Sequence, residues 1–155
     1  MTHEMPQDDP NSARRRWMSV LARADAAAIE IRLGACPPLP AHERVRGPES
    51  GLVMVRGRAG GTGAPFNLGE MTVTRCSVRL PGGRVGHSYV AGRDQRQAEL
   101  AAVLDALLQD PDYAPRLEAA VIAPLEAAQQ ARRAERAGKA AATRVQFFAM
   151  QTMRS

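Results

Sequence analysis

Hydrophobic residues recur at helical spacing in the first third of the chain. One face collects apolar side chains three and four positions apart, namely Trp17, Val20, Leu21 and Ala24. With Ser12 as N-cap, this spacing predicts a helix over residues 13–24. Asp25 is placed to interrupt that helix or to cap a second one, which then ends at Gly34. The pattern therefore predicts helices within residues 12–34.

The middle third has the alternation and the turn residues of a β-meander. Residues 37–48 contain four prolines and are predicted to be a connector with poor helix and strand potential. Strands are predicted over three later segments, residues 52–56, 71–80 and 84–90. A glycine-rich loop and Pro81-Gly82-Gly83 join them. Because short turns join antiparallel neighbours, residues 52–91 are expected to form one antiparallel sheet.

The last third returns to helical spacing. Asp94 is a predicted N-cap for a helix with an apolar stripe of Leu100, Val103, Leu104, Leu107 and Leu108. Pro111 ends this helix, and Pro124 opens an alanine-rich one that runs to about residue 142. Residues 143–155 form an apolar tail. The predicted fold class is α+β, with N-terminal helices, a central antiparallel β-meander, C-terminal alanine-rich helices within residues 94–142 and the tail.

Length and composition favour one globular domain. The chain has 155 residues, of which 45% are hydrophobic, so residues 12–155 are expected to form a single domain after a disordered tail over residues 1–11. It has 28 alanines but only 6 aromatic residues. Because alanine buries little apolar area, alanine-rich helices often need another surface to pack on. Without an export signal or a membrane-length apolar run, the protein is expected to be cytoplasmic, with Cys36 and Cys76 reduced.

The positive charge is concentrated in the middle third. Residues 52–97 carry seven arginines against Glu70 and Asp94, which accounts for the whole net charge of +5. Such a local field attracts phosphate-bearing or carboxylate-bearing partners. The ratio of 20 arginines to one lysine suits bidentate phosphate recognition, but a general compositional bias is the simpler explanation of the ratio, since alanine is abundant too. Such a bias does not explain the clustering.

The candidate contact residues surround the glycine-rich loop. They are Arg56, Arg58, Gly60, Gly61, Thr62, Gly63, Arg75 and Arg93. Exposed amides in such a loop can cradle an anion, but the loop lacks the Lys-Ser/Thr ending of a Walker phosphate loop, and a strand rather than a helix follows. A flexible hairpin connection is the simpler interpretation, and both remain open. Arg93 either pairs with the neighbouring cap Asp94 or is directed at an anion.

Arginines at four strand positions would repel one another if they shared a face of the sheet. Arg56 and Arg58 lie two residues apart, and Arg75 and Arg79 lie four apart, so each pair shares a face. Acidic groups of a neighbouring protein, or substrate phosphates, would offset the repulsion. Whether both pairs share one face depends on a register that the sequence does not give.

No residue pattern predicts a self-sufficient active site or a metal site. Cys36 and Cys76 are 40 residues apart without CxxC or HExxH spacing, so no metal ligand set is predicted in this chain. Cys76 is expected to be a small core residue, and His87 in a strand is expected to be structural. The serines fit no nucleophile elbow. An apolar terminus, by contrast, suggests docking, and Arg144, Phe147 and Phe148 are the candidate docking residues of the tail.

Several motifs, in order along the chain, resemble one family. They are Arg16-Trp17-Met18-Ser19-Val20-Leu21, the segment from Gly51 to Arg58 followed by Gly60-Gly61-Thr62-Gly63, the segment from Asn67 to Arg75, Tyr89-Val90 with Gly92-Arg93-Asp94, and Thr143-Arg144-Val145 with Phe147-Phe148. The chain resembles the PhnG family, the G subunit of the bacterial carbon–phosphorus lyase core complex. The resemblance covers residues 14–150.

The resemblance implies a role in phosphonate catabolism. With the H, I and L subunits, the G subunit replaces the adenine of ATP by a phosphonate, giving ribose 1-phosphonate 5-triphosphate. It implies a hetero-oligomeric core with the H, I and J subunits, two copies of each. It also implies that this chain holds no cofactor. By the same resemblance, the complex uses ATP with magnesium, and the iron–sulfur cluster resides in the J subunit.

A second class of function is compatible with the basic middle third. The alternative is an anion- or nucleic-acid-binding module without enzymatic activity. Only Phe66 and Tyr89 accompany the arginines as stacking residues, and no recognised nucleic-acid motif occurs, so a nucleic-acid partner is not expected.

Overall fold

The computed structural model describes Asp9 and residues 11–152, with side chains up to Thr143, and has the predicted α+β fold. Its elements are α1 (Ser12–Ala22), α2 (Ala26–Leu33), β1 (Glu43–Gly57), β2 (Phe66–Arg79), β3 (Val85–Ala91), α3 (Gln95–Leu108), α4 (Ala114–Leu117) and α5 (Ala123–Thr152). Among these residues, no helix is both long enough and apolar enough to cross a membrane.

The sheet is the predicted antiparallel meander. Its strand order is β1-β2-β3, and both neighbouring pairs are antiparallel. Gly82 and Gly83 make the second turn with φ of 94° and 93°, a region that favours glycine. From Thr74 to Val78 the even-numbered side chains of β2 are buried, because Thr74, Cys76 and Val78 have almost no exposed surface.

Helix α3 is the centre of the core. It contacts β2 and β3 on one side and α1, α2 and α4 on the other. Every residue from Gln97 to Leu108 is consequently buried, so the predicted apolar stripe is only one part of the buried surface. The helix approaches β3 most closely at Gly86, where a Cβ would lie 2.0 Å from the carbonyl oxygen of Ala102.

Strand β1 begins at Glu43, nine residues before the predicted start at residue 52. The prediction of a connector over residues 37–48 is therefore wrong in its second half. Proline is tolerated there because β1 is an edge strand and Pro48 lies at an irregularity of its pairing with β2. Gly47 has φ of 66°, and a Cβ there would be 2.6 Å from the carbonyl oxygen of Arg75.

Two of the three predicted helix caps are confirmed. The Asp25 carboxylate accepts a hydrogen bond from the Ala28 amide at 2.7 Å, and Asp94 accepts one from the Gln97 amide at 2.9 Å. The prediction for Ser12 is wrong by one residue, because Asn11 is the N-cap and Ser12 is already helical. The Ser12 amide instead donates to the carbonyl oxygen of Asp9 at 2.7 Å. The remainder of the predicted disordered tail over residues 1–11 lies outside the described residues.

The C-terminal helix is longer than predicted. A π turn over Glu118–Ile122 joins α4 to α5 in one continuous helical segment, and α5 passes the predicted end at residue 142 to reach Thr152. Up to Thr152, the predicted tail over residues 143–155 is thus a continuation of α5. The side chains of Arg144, Phe147 and Phe148 lie outside the described residues. From Gln130 to Thr143, every residue of α5 is exposed.

Candidate functional site

The first two strands extend beyond the core as a two-stranded ribbon. Strand β3 pairs with β2 only from Val73 to Arg79, whereas β1 continues to pair with β2 as far as Gly57 and Phe66. We call residues 51–57 and 66–72 the β-arm. All of its residues are exposed or half-buried. The β-arm therefore holds Arg56 and the glycine-rich loop away from the helices that pack on the sheet.

The register places the two arginine pairs on opposite faces. Glu49 is directly opposite Arg75, and the pairing then runs without a shift to Val55 opposite Gly69. Side chains of directly opposite residues share a face, and that face alternates along each strand. Arg75 and Arg79 thus share the face of Glu49, whereas Arg56 and Arg58 lie on the other face. Repulsion among all four arginines does not arise.

Arg75 and Arg79 each form an ion pair with a glutamate of β1. The Nε of Arg75 is 2.6 Å from Oε1 of Glu49, and the Nη1 of Arg79 is 3.5 Å from Oε2 of Glu43. Hydrogen bonds from Arg46 and Arg75 lower the pKa of Glu49. These ion pairs offset the repulsion between Arg75 and Arg79 without a partner. Contact of the exposed Arg75 with an anion or another subunit stays a prediction. The sequence did not indicate these ion pairs, because both glutamates precede residue 52, where the first strand was predicted to begin.

The glycine-rich loop is the turn at the tip of the β-arm. Ala59–Gly61 form one 3-10 turn, in which Gly60 and Gly61 have φ of 65° and 78°. These angles account for both glycines as turn residues. Thr62 and Gly63 follow, and the Gly63 amide is 3.4 Å from the carbonyl oxygen of Ala59. An anion or subunit contact at this loop stays a prediction.

Arg93 lies at the base of the β-arm rather than at its tip. The preceding Gly92 donates its amide to the carbonyl oxygen of Thr72 at 2.9 Å, which fixes this position. Thr72 lies six positions after Phe66 in β2, or about 20 Å along an extended strand. Among the described carboxylates, none is within ion-pair distance of Arg93. The candidate arginines therefore do not converge on one site.

Asp105 is the centre of a buried hydrogen-bond network that the sequence analysis missed. It is fully buried on α3 and accepts from Nε and Nη2 of Arg14 at 3.1 and 2.8 Å. The indole Nε1 of Trp17 and the backbone amide of His87 donate to it, each at 2.9 Å. The available signal was an acidic residue inside the apolar run of α3, because a buried charge needs partners. The network joins α1 and β3 to α3.

Glu99 is the second carboxylate with charged partners near the core. It accepts from Nε2 of His42 at 2.8 Å and from Nε and Nη2 of Arg44 at 2.9 and 2.7 Å. Hydrogen bonds from Arg44, and then from His42, lower the pKa of Glu99 to about 2. Burial raises the pKa of the nearby Cys76 thiol, in keeping with its expected role as a core residue.

Acid is expected to remove the contribution of Glu99 to stability. Because the folded-state pKa lies below the ordinary value of 4.5, the contribution is present above pH 4.5 and is lost as the pH falls towards 2. Urea unfolding should show Glu99→Gln less stable than the parent at pH 5, by up to about 3 kcal/mol, with the difference largely gone at pH 2. Glu135→Gln, on the exposed part of α5, serves as the control. A difference that does not change with pH would contradict the assignment.

His87 pairs with a hydroxyl group on the exposed face of the sheet. Its Nδ1 is 2.9 Å from Oγ of Ser77 on the adjacent strand. No described carboxylate is hydrogen-bonded to the imidazole ring to orient it as a base. Among all residues that the structure describes, no group of three His, Cys, Asp or Glu residues is arranged to hold a metal ion.

The comparisons with known proteins agree on one family. The family model described as "Phosphonate metabolism protein PhnG" matches residues 12–154. The chain is also similar to a protein of Rhizobium meliloti (strain 1021) that is named "Alpha-D-ribose 1-methylphosphonate 5-triphosphate synthase subunit PhnG". The two are 48% identical over 147 residues, which cover 92% of each chain. On both counts, the chain belongs to the PhnG family of phosphonate metabolism proteins.

Proposed function

We propose that the chain is a non-catalytic subunit of ribose 1-methylphosphonate 5-triphosphate synthase within the carbon–phosphorus lyase core complex. In that reaction a phosphonate replaces the adenine of ATP, and adenine is released. The name of the Rhizobium relative and the family match support membership in such a synthase.

The proposed assembly is hetero-oligomeric and cytoplasmic. The H, I and J subunits, with two copies of each, form the core with this chain, and the L subunit acts with them. ATP with magnesium is used by the complex, and the iron–sulfur cluster belongs to the J subunit. These assignments follow from the family resemblance of the motifs.

The observation that carries the non-catalytic role is that both buried carboxylates are hydrogen-bonded to other elements of the fold. Asp105 accepts hydrogen bonds from Arg14, Trp17 and the His87 amide, and Glu99 accepts them from His42 and Arg44. A general base needs a free lone pair within reach of the substrate proton. Asp105 accepts four such hydrogen bonds and Glu99 three, all from groups of the fold, and this supports a structural role for both carboxylates.

The purified chain is expected to release no adenine from ATP and methylphosphonate in the presence of magnesium. The reconstituted complex with the H, I and L subunits should release it, and omission of this chain should abolish the release. Chromatographic detection of adenine gives the measurement, with heat-denatured chain as the control. Adenine release by the isolated chain above that control would overturn the proposal.

A further inference from the structure

The β-arm leaves large apolar side chains uncovered. Leu52, Leu68 and Met54 are 63%, 61% and 52% exposed, and Phe66 and Met71 are 46% and 38% exposed. Single exposed apolar residues are ordinary on a protein surface, but a contiguous group marks an interaction site. The β-arm has five such residues within one short ribbon, with Phe66, Leu68 and Met71 grouped on one face and Leu52 and Met54 on the other.

One face of the β-arm is apolar along its whole length. Val53 is directly opposite Met71, and Gly57 is directly opposite Phe66, so these side chains share a face. Leu68 lies over the same face, because a Cβ on Gly57 would be 2.5 Å from Cδ1 of Leu68. We call Val53, Val55, Phe66, Leu68 and Met71 the apolar arm face.

The opposite face combines apolar residues with charge at the tip. Leu52, Met54 and Arg56 alternate onto this face of β1, and Arg58 follows the end of the strand. Glu70 of β2, directly opposite Met54, also lies on this face. Neither arginine forms an ion pair with a described carboxylate, in contrast to Arg75 and Arg79 nearer the core. A partner that covers the β-arm would therefore bury cations whose charge it must balance.

A two-stranded ribbon with this composition gains little stability from its own contacts. An isolated hairpin is marginally stable in water, and three or more strands or a packed helix are needed for independent stability. In the β-arm neither β3 nor α3 supplies that support, because β3 ends its pairing at Val73. Leu52, Leu68 and Phe66 are therefore free to pack against a partner, because they are not part of the core of this chain.

We infer that the β-arm is the docking element of this chain, and that another subunit of the same synthase receives it in an apolar cleft with carboxylates facing Arg56 and Arg58. This inference rests on the proposed function. The charge of the chain favours such an occupant over a second copy, because two chains of net charge +5 repel each other. About 20 Å of ribbon, covered on both faces, suits an interface of ordinary size.

Co-purification of the affinity-tagged chain with the other synthase subunits tests the inference. The double variant Phe66→Ser/Leu68→Ser should retain at least ten-fold less of the other subunits than the parent chain. Ile31→Ser is the matched control, because Ile31 on α2 is 74% exposed and lies outside the β-arm. That control should retain the parent amount. Normal retention by the arm variant, or equal loss by both variants, overturns the inference.

A charge variant tests the tip separately. Arg56→Glu/Arg58→Glu should also weaken retention, and more strongly at low salt, where repulsion from partner carboxylates is least screened. Unchanged retention at every salt concentration would overturn the acidic character assigned to the cleft.

Hydrogen–deuterium exchange keeps the test independent of folding defects. In the parent chain, amides of residues 51–57 and 66–71 should exchange rapidly alone and be protected at least ten-fold in the complex. Equal exchange in both states overturns the inference. Sedimentation of the parent chain alone should give a monomer, and an arm-dependent dimer would assign the surface to a second copy instead. A parent chain that binds no other subunit refutes the proposed function itself, whereas binding without arm protection refutes only this inference.

Discussion

Replacement of Asp105 by alanine is expected to lower the free energy of unfolding by about 3–5 kcal/mol. The carboxylate is fully buried, and its removal leaves the Arg14 guanidinium, the Trp17 indole N–H and the His87 amide without their acceptor. Native domains have total stabilities of about 5–15 kcal/mol, so this one change removes a large share. Thermal unfolding should show a melting temperature lower by about 10 °C.

Two companion variants make the Asp105 measurement specific. Asp105→Asn keeps the shape and one acceptor oxygen, so its loss should be smaller than that of alanine. Glu135→Ala removes an exposed carboxylate that pairs with Lys139 at 2.9 Å, and it should change stability by less than about 0.5 kcal/mol. An alanine variant at position 105 as stable as the Glu135 control would show that the network contributes nothing to folding.

Gly86→Ala is the second substitution with a large expected effect, a loss of about 3 kcal/mol or more. The new Cβ would lie 2.0 Å from the Ala102 carbonyl oxygen and 2.6 Å from the Ala106 amide nitrogen. Both atoms belong to the backbone of α3, so relief requires the whole helix to move away from β3. Overpacking typically costs about 1–3 kcal/mol and occasionally more, and the clash with two backbone atoms places Gly86→Ala at the upper end of that range.

Gly69→Ala is the matched control for this substitution. Gly69 lies in β2 within the β-arm, and a Cβ there would have no heavy atom within 4 Å. Chemical denaturation should place this control within about 0.5 kcal/mol of the parent chain. If both alanine variants have the same midpoint, then α3 and β3 are not in close contact at Gly86 in solution.

The local features of the fold were predictable because they depend on neighbouring residues. The Asp25 and Asp94 caps and the Gly82-Gly83 turn each have a signature within three or four positions of the sequence. The early start of β1 was not predictable in this way. Strand pairing across an irregularity at Pro48 depends on Arg75 and Ser77 of β2, which lie more than 25 residues further along the chain.

The candidate site shows the same division. The sequence identified the arginines and the glycine-rich loop, but their arrangement depends on register, and register is set by contacts between distant residues. Glu49 therefore balances Arg75 without any local sign of it. Asp105 could have been suspected from its apolar neighbours, whereas its donors Arg14 and Trp17 are about 90 residues away along the chain.

The π turn over Glu118–Ile122 has a consequence for the evolution of the C-terminal helix. A π turn is equivalent to one residue inserted into an α-helix, and each residue rotates the helix by about 100°. Deletion of one residue here would restore a regular helix, but it would turn every later side chain by that angle relative to α4. The exposed stretch from Gln130 to Thr143 would then present different residues to the same direction in space. A single insertion or deletion could therefore re-aim this surface without any change in its composition.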